Sequence, residues 1–251
     1  HGVAQPQLEM VGGVKLHERG FRGQGMTIAV MDAGFLNADL IPAFRDINLV
    51  GYADFVVPQS RSIFAEMEHG ANVLSILAIN KPGVYVGAAP DAAYWLLRCE
   101  DQQSEQPVEE DYWAAAAEFA DSAGVDVISC SLGFNIYDKP FTNYYSYWQQ
   151  DGRTALISRM ASTVASRDMV LVNSAGNNGM APWKKTTFPA DAHDLLTVGA
   201  VTTENSTAPY SCVGTTADGR IKHNVVALGS PAVRVSSLGP DLEVSGHSFP
   251  T

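Results

Sequence analysis

Basic residues are scarce in this 251-residue chain: 16 lysines and arginines stand against 27 aspartates and glutamates, a formal net charge of −11. That balance leaves no cationic footprint and argues against nucleic acid or an anionic membrane as partner. Long apolar runs are missing too, since none approaches the ~20 residues of a membrane-spanning helix. Cysteine is limited to Cys99, Cys130 and Cys212, an odd count at wide spacing that argues against a disulfide framework or a zinc site. Cys99 and Cys130 close two apolar runs that read as neighbouring strands, so one bridge between them stays open, with buried free thiols favoured. There is no EF-hand-like spacing of acids, no internal repeat and no low-complexity tract. A G-x-G-x-x-G turn after a strand is also lacking: "GQG" (23–25) precedes the first apolar run, which counts against a dinucleotide-binding oxidoreductase. The first residue is histidine, as expected of a processed product or a trimmed piece.

What is present is an alternation. At 46% hydrophobic and 17% charged, the chain can bury a sizeable core. Apolar runs at 26–32, 92–100, 124–133 and 169–177 read as buried strands, with weaker ones at 195–201 and 225–229. Segments 68–80, 108–124 and 152–168 carry apolar residues at helical spacing. "PVEED" (107–111) is a helix start with proline and acids in the first turn, and Gly124 ends that helix. Strands alternating with helices predict an α/β fold, a mostly parallel sheet with helices on both faces. Ligands in such sheets bind beyond the carboxyl ends of the strands.

Four polar residues stand at or near such positions. Asp32 closes the first strand, where a cap or turn role is the ordinary reading. His69 opens a helix, and Gly70 beside it would let another backbone approach closely. Asn177 follows the fourth strand in "NSAGNNG", where its amide could donate to a developing oxyanion. Ser248 lies in "SGHSFPT" at the end of the chain. Singly each has a bland explanation. Together, the order Asp, His, Ser is that of one of the known triad arrangements.

On these residues the chain resembles the subtilisin-like serine peptidases from about residue 20 onward. "TIAVMDAG" is similar to their aspartate motif, "HGANVLSILA" to their histidine motif, "VLVNSAGNNG" to their oxyanion asparagine motif and "SGHSFPT", more weakly, to their serine motif. The resemblance implies one subtilisin-like domain over 1–251, incomplete at its C-terminus, and a secreted, periplasmic or cell-surface endopeptidase acting on peptide or protein substrates. Ser248 would attack the scissile carbonyl, His69 would move the proton, Asp32 would hold the imidazole, and Asn177 with the Ser248 N–H would stabilise the oxyanion. Ser131, Leu132 and Gly133 on one side, and Ser174, Ala175 and Gly176 on the other, would be backbone edges flanking the first substrate pocket. Thr187 in "TTFPAD" would close its base, so an uncharged, apolar side chain is expected before the cleaved bond. The Phe188–Pro189 bond is expected to be cis. Glu100, Asp101 and Glu105 would form an acidic rim for basic residues further upstream in substrate. The aromatic segment 137–152 reads either as a shaper of substrate entry or as a packed surface loop. No cofactor is required for the chemistry. Structural calcium often accompanies the family, but no site can be placed here. An N-terminal propeptide and a separate C-terminal fragment are further partners the resemblance raises.

The ending departs from the family pattern. His247 stands where threonine is usual, Pro250 follows Phe249 at once, and the helix that should begin at the serine has no residues to form it. Three expectations follow. Either the rest of the domain is cleaved, disordered or carried on another chain, or the segment is altered or misread; apolar partners of the missing helix are uncovered, and residues 246–251 are distorted or poorly placed, with Ser248 out of attacking geometry. A peptide-binding pseudopeptidase on the same fold is the alternative reading.

Overall fold

The computed structural model describes residues 1–236 and, for the backbone alone, 244–247. Two short helices open the chain, α1 (Gln5–Met10) and α2 (Gly13–Glu18). Then come β1 (Thr27–Asp32), β2 (Asn48–Asp54), α3 (His69–Ala78), the two-residue strands β3 (Asn80–Lys81) and β4 (Tyr85–Val86), and β5 (Ala93–Arg98). They are followed by α4 (Val108–Ser122), β6 (Val127–Cys130), α5 (Leu156–Ala165), β7 (Val170–Ser174), β8 (Leu196–Thr202), β9 (Val225–Ser230), β10 (Ala232–Val235) and β11 (Val244–His247). All six expected strands and all three expected helices are there, with ends that differ from the expectation by up to a few residues.

Seven strands form one sheet in the order β2-β5-β1-β6-β7-β8-β9, and every pairing in it is parallel. Both faces are covered, so the strands carry apolar residues on alternating sides. Ile28, Val30, Tyr94 and Leu96 join Ala71, Leu74 and Ala78 of α3 in one core cluster. Ala29, Met31, Leu97, Ile128 and Leu171 join Trp113 and Ala117 of α4 and Ile157 and Ala161 of α5 in the other. Each fully buried aliphatic side chain there contributes about 1.5–3 kcal/mol of transfer free energy.

β1 occupies a switch point. The chain reaches β5 on one side of it and crosses to β6 on the other, which opens a crevice beyond the carboxyl end of β1. β10 and β11 pair antiparallel, Ala232 opposite His247 and Val233 opposite Gly246, and β10 is tied to α3 by the Val235 N–H donating to Ser75 Oγ (3.1 Å). Gly246 and His247 therefore stand in a regular ladder, where distortion was expected; Ser248 to Thr251 lie outside the described residues. Between α3 and the far strands runs an apolar groove lined by Val73, Leu77, Val172, Val198 and Leu228.

Segment 137–152 is packed. The Tyr137 and Tyr145 hydroxyls donate to the buried Glu110 carboxylate (2.9 and 3.1 Å), which also accepts the Ile157 N–H at the start of α5 (2.9 Å). Cys99, Cys130 and Cys212 are buried free thiols. Burial pushes the Cys130 thiol up to about 12 although Trp113 donates to its sulfur (3.3 Å), and the Cys212 thiol up to about 11. No helix among the described residues is long and apolar enough to cross a membrane.

Candidate active site

Asp32 ends β1 with its side chain fully buried. One carboxylate oxygen accepts the Ala33 N–H (2.8 Å). Both face His69 at the start of α3, with Nδ1 at 2.8 and 2.9 Å. Two residues 37 apart in sequence thus meet in hydrogen-bonding geometry, as their positions at the strand end and helix start predict. The imidazole keeps about a fifth of its side-chain surface open, 22%. Burial pulls the His69 pKa down, but the charge and hydrogen bond of Asp32, helped by Glu100, outweigh it and set the pKa above the ordinary 6.5. Arg234 on β10 opposes that rise.

The close approach depends on glycine. The Gly70 N–H donates to Gly34 O (2.9 Å). A Cβ on Gly70 would sit 2.4 Å from that oxygen and 2.9 Å from the Asp32 Cβ, inside any tolerated contact. Gly70→Ala is therefore expected to lower stability by about 1–3 kcal/mol through overpacking, or a melting temperature lower by about 2–4 °C for each of those kcal/mol. A thermal melt checks it, and an unchanged midpoint would show that α3 and the loop after β1 are not in contact as described.

Arg98, an expected strand residue with no role assigned to it, secures the aspartate from behind. It pairs with both Asp32 and Asp54 in register across β1, β5 and β2. At 5% exposure, its Nε donates to Ala33 O (3.1 Å) and its Nη1 to Asp54 (3.1 Å). The signal was available in the sequence, since an arginine closing an apolar run has to find partners once buried.

On the other side of β1, the ends of β6 and β7 make two edges. Ser131, Leu132 and Gly133 continue β6; Ser174 closes β7, and Ala175 and Gly176 continue it. Asn173, also unassigned from sequence, joins them: its Nδ2 donates to Leu132 O (3.1 Å) and Ser174 O (2.8 Å) from a fully buried position. Thr187 lies where both edges converge, because a Cβ on Gly133 would fall 2.0 Å from its Oγ1 and one on Gly176 2.7 Å from it. The Thr187 N–H donates to Ala175 O (3.1 Å), Phe134 and Phe188 exchange backbone hydrogen bonds (2.8 and 2.9 Å), and the Phe188–Pro189 bond is cis as expected. Asn177 follows Gly176, exposed, with no partner for its amide among the described residues. It lies on the β7 side, two strands or roughly 10 Å across the sheet from β1. Ser248 lies outside the described residues.

The acids past β5 do not form a simple rim. Glu100 is buried, 8% exposed, whereas Glu105 is open to solvent. Burial, then Asp32, Glu105 and Glu109, push the Glu100 carboxyl up to about 8, with His69 acting against the rise. Glu109 accepts the N–H groups of Gln106 (2.7 Å) and Asp101 (3.1 Å) at the start of α4. Among the described residues, no group of three or more histidine, cysteine, aspartate or glutamate side chains is arranged to hold a metal ion. These residues therefore offer no side-chain cluster for calcium.

Comparison with known proteins shows the family. The model of the subtilase family, Peptidase_S8, matches residues 23–248. Subtilisin NAT of Bacillus subtilis subsp. natto is 29% identical over 206 residues, covering 81% of this chain and 48% of that protein. Subtilisin Savinase of Lederbergia lenta is 27% identical over 225 residues, covering 89% of this chain and 70% of its own length. The chain thus spans about half the length of several curated relatives it matches. Among solved structures, the prenylagaramide maturation protease PagA superposes with a TM-score of 0.68 at 21% identity, over 96% of this chain and 76% of its own, a likeness of fold.

Proposed function

This chain belongs to the subtilase family, and from that premise we propose that the protein is a serine endopeptidase working through an acyl-enzyme. The observation that carries the proposal is the Asp32–His69 pair, held at 2.8 Å at the switch point of a parallel sheet and opening onto a cleft with two backbone edges.

In this reading the Ser248 hydroxyl attacks the scissile carbonyl and His69 Nε2 takes its proton. With Nδ1 held by Asp32, the imidazole has the tautomer in which Nε2 is the proton acceptor, and the carboxylate stabilises the imidazolium that forms. The exposed Asn177 amide, with the Ser248 N–H, receives the negative charge on the carbonyl oxygen. His69 then hands the proton to the leaving amine, and water repeats the sequence to release the acid. An extended substrate pairs with the Ser131–Gly133 and Ser174–Gly176 edges as an added strand. Its side chain before the cleaved bond rests on Thr187, which carries no charge, so an apolar residue is favoured there. Secretion to the cell exterior or periplasm, and processing from a propeptide, belong to the same proposal and rest on the family alone.

A fluorophosphonate probe tests the chemistry. The full-length protein is expected to be labelled at Ser248, with labelling lost in Ser248→Ala and, in the wild type, when the labelling is run at pH 4, where His69 is protonated. Absence of labelling together with retained peptide binding would establish the second reading, a pseudopeptidase, which the bulky His247 beside Ser248 favours.

A further inference from the structure

We propose that Glu100 is a specificity residue that receives a cationic side chain of the substrate, that of the residue preceding the one in the first pocket. The inference rests on the peptidase reading and adds a substrate class to it, peptides with lysine or arginine at that position.

Glu100 is more than nine-tenths buried, and among the described residues no hydrogen-bond donor reaches its carboxylate. A carboxylate in that condition is costly to keep ionised unless something pairs with it. The charged groups facing it make matters worse. Asp32 from β1 and Glu105 and Glu109 from the segment beginning α4 all repel its negative charge; His69 from α3 is the cation that acts in its favour. The neighbouring arginine is committed elsewhere, since Arg98 serves Ala33 and Asp54. The other buried acids of this region are satisfied: Glu109 and Glu110 each hold two or more donors. Among the described residues Glu100 alone is held beside the dyad without a donor, and it acts electrostatically on His69. A cation arriving with substrate supplies what the folded chain withholds. A lysine or arginine side chain of a bound peptide is such a cation.

The sheet order sets the position in the substrate. The first pocket is built at the ends of β6 and β7, on one side of β1, and Glu100 follows β5 on the other side. Successive side chains of an extended peptide point in opposite directions. The residue next to the one in the first pocket therefore projects toward β5 and Glu100.

The test compares two peptides of identical sequence carrying lysine or leucine at that position, with the full-length protein and its Glu100→Gln and Glu100→Leu variants. The wild type is expected to prefer lysine by roughly 10- to 100-fold in kcat/KM, the range for a charge-assisted hydrogen bond. Both variants are expected to lose the preference, and a far-UV circular dichroism spectrum and thermal melt matching the wild type show that they fold. The preference grows as pH rises through about 8, where the empty Glu100 carboxyl releases its proton. Equal rates for the two peptides in the wild type, or a lysine preference that survives in Glu100→Gln, would overturn the inference and leave the peptidase reading standing. If neither peptide is cleaved, the peptidase reading itself has failed, and fluorescence anisotropy of the labelled peptides still decides the point. Tighter binding of the lysine peptide to wild type than to Glu100→Gln supports the inference; equal binding overturns it.

Discussion

Replacing Asp32 with asparagine in the full-length protein is expected to lower kcat by roughly 10⁴-fold, with little change in KM. The amide preserves shape, but it presents a donor where the carboxylate presents two acceptors. His69 Nδ1 lies 2.8 and 2.9 Å from those two oxygens, so the imidazole would be held in the wrong tautomer. A second signature distinguishes this from general damage. Burial lowers the His69 pKa, and Asp32, by charge and by hydrogen bond, is the main influence raising it. General-base catalysis needs the neutral ring, so activity in the wild type is lost as pH falls through a value above 6.5. Removing the Asp32 charge lowers that value, and the acid limb of the kcat/KM profile should move toward lower pH. A full profile of both proteins measures it. An acid limb that stays in place, or moves up, would mean that Asp32 does not govern His69.

Asn177→Ala should cost roughly 10²–10³-fold in kcat, the scale measured for the oxyanion asparagine in subtilisin itself, again with KM nearly unchanged. The amide is exposed just past Gly176, whose φ is +102°. Among the described residues the amide has no partner, so in the proposed mechanism it would gain one when charge develops on the substrate oxygen. The neighbouring Asn178 is the control. Its Nδ2 donates to Asn135 Oδ1 (3.0 Å), a structural contact, so Asn178→Ala should affect stability more than turnover. Equal losses of kcat in the two variants, or a loss confined to KM, would remove Asn177 from the transition state.

Much of this architecture was legible because both sheet faces are covered. β1, β5, β6 and β7 are buried runs with few polar residues, and such runs declare themselves whatever their register. β2 did not: its first three residues, Asn48, Leu49 and Val50, are exposed, and pairing shifts between Leu49 and Gly51, so neither alternation nor a continuous apolar run marks it. β10 and β11 are each four residues long, too short to stand out from a loop. In the site, Asp32, His69 and Gly70 were readable because strand end, helix start and glycine coincide within two short motifs. Arg98 and Asn173 were not singled out, since each is held by backbone carbonyls of loops and strand ends, and Arg98 also by the Asp54 carboxylate, and no motif encodes such partners. Glu100 was noticed as charge but taken for a rim; its burial depends on how the loop after β5 folds back beside Asp32 and α4.

Thr187 has a consequence for the cleft as a whole. Two edges that grip opposite sides of a bound chain would ordinarily drift apart or together as loops fluctuate. Here a single small side chain fills the space that Gly133 and Gly176 leave open, and its backbone is bonded to Ala175. It acts as a spacer, and the gauge of the slot is set by the volume of one residue. In the proposed mechanism, a larger or smaller residue at 187 would change which side chains the slot admits without altering either strand, and substrate range would then be tuned apart from the Asp32–His69 geometry.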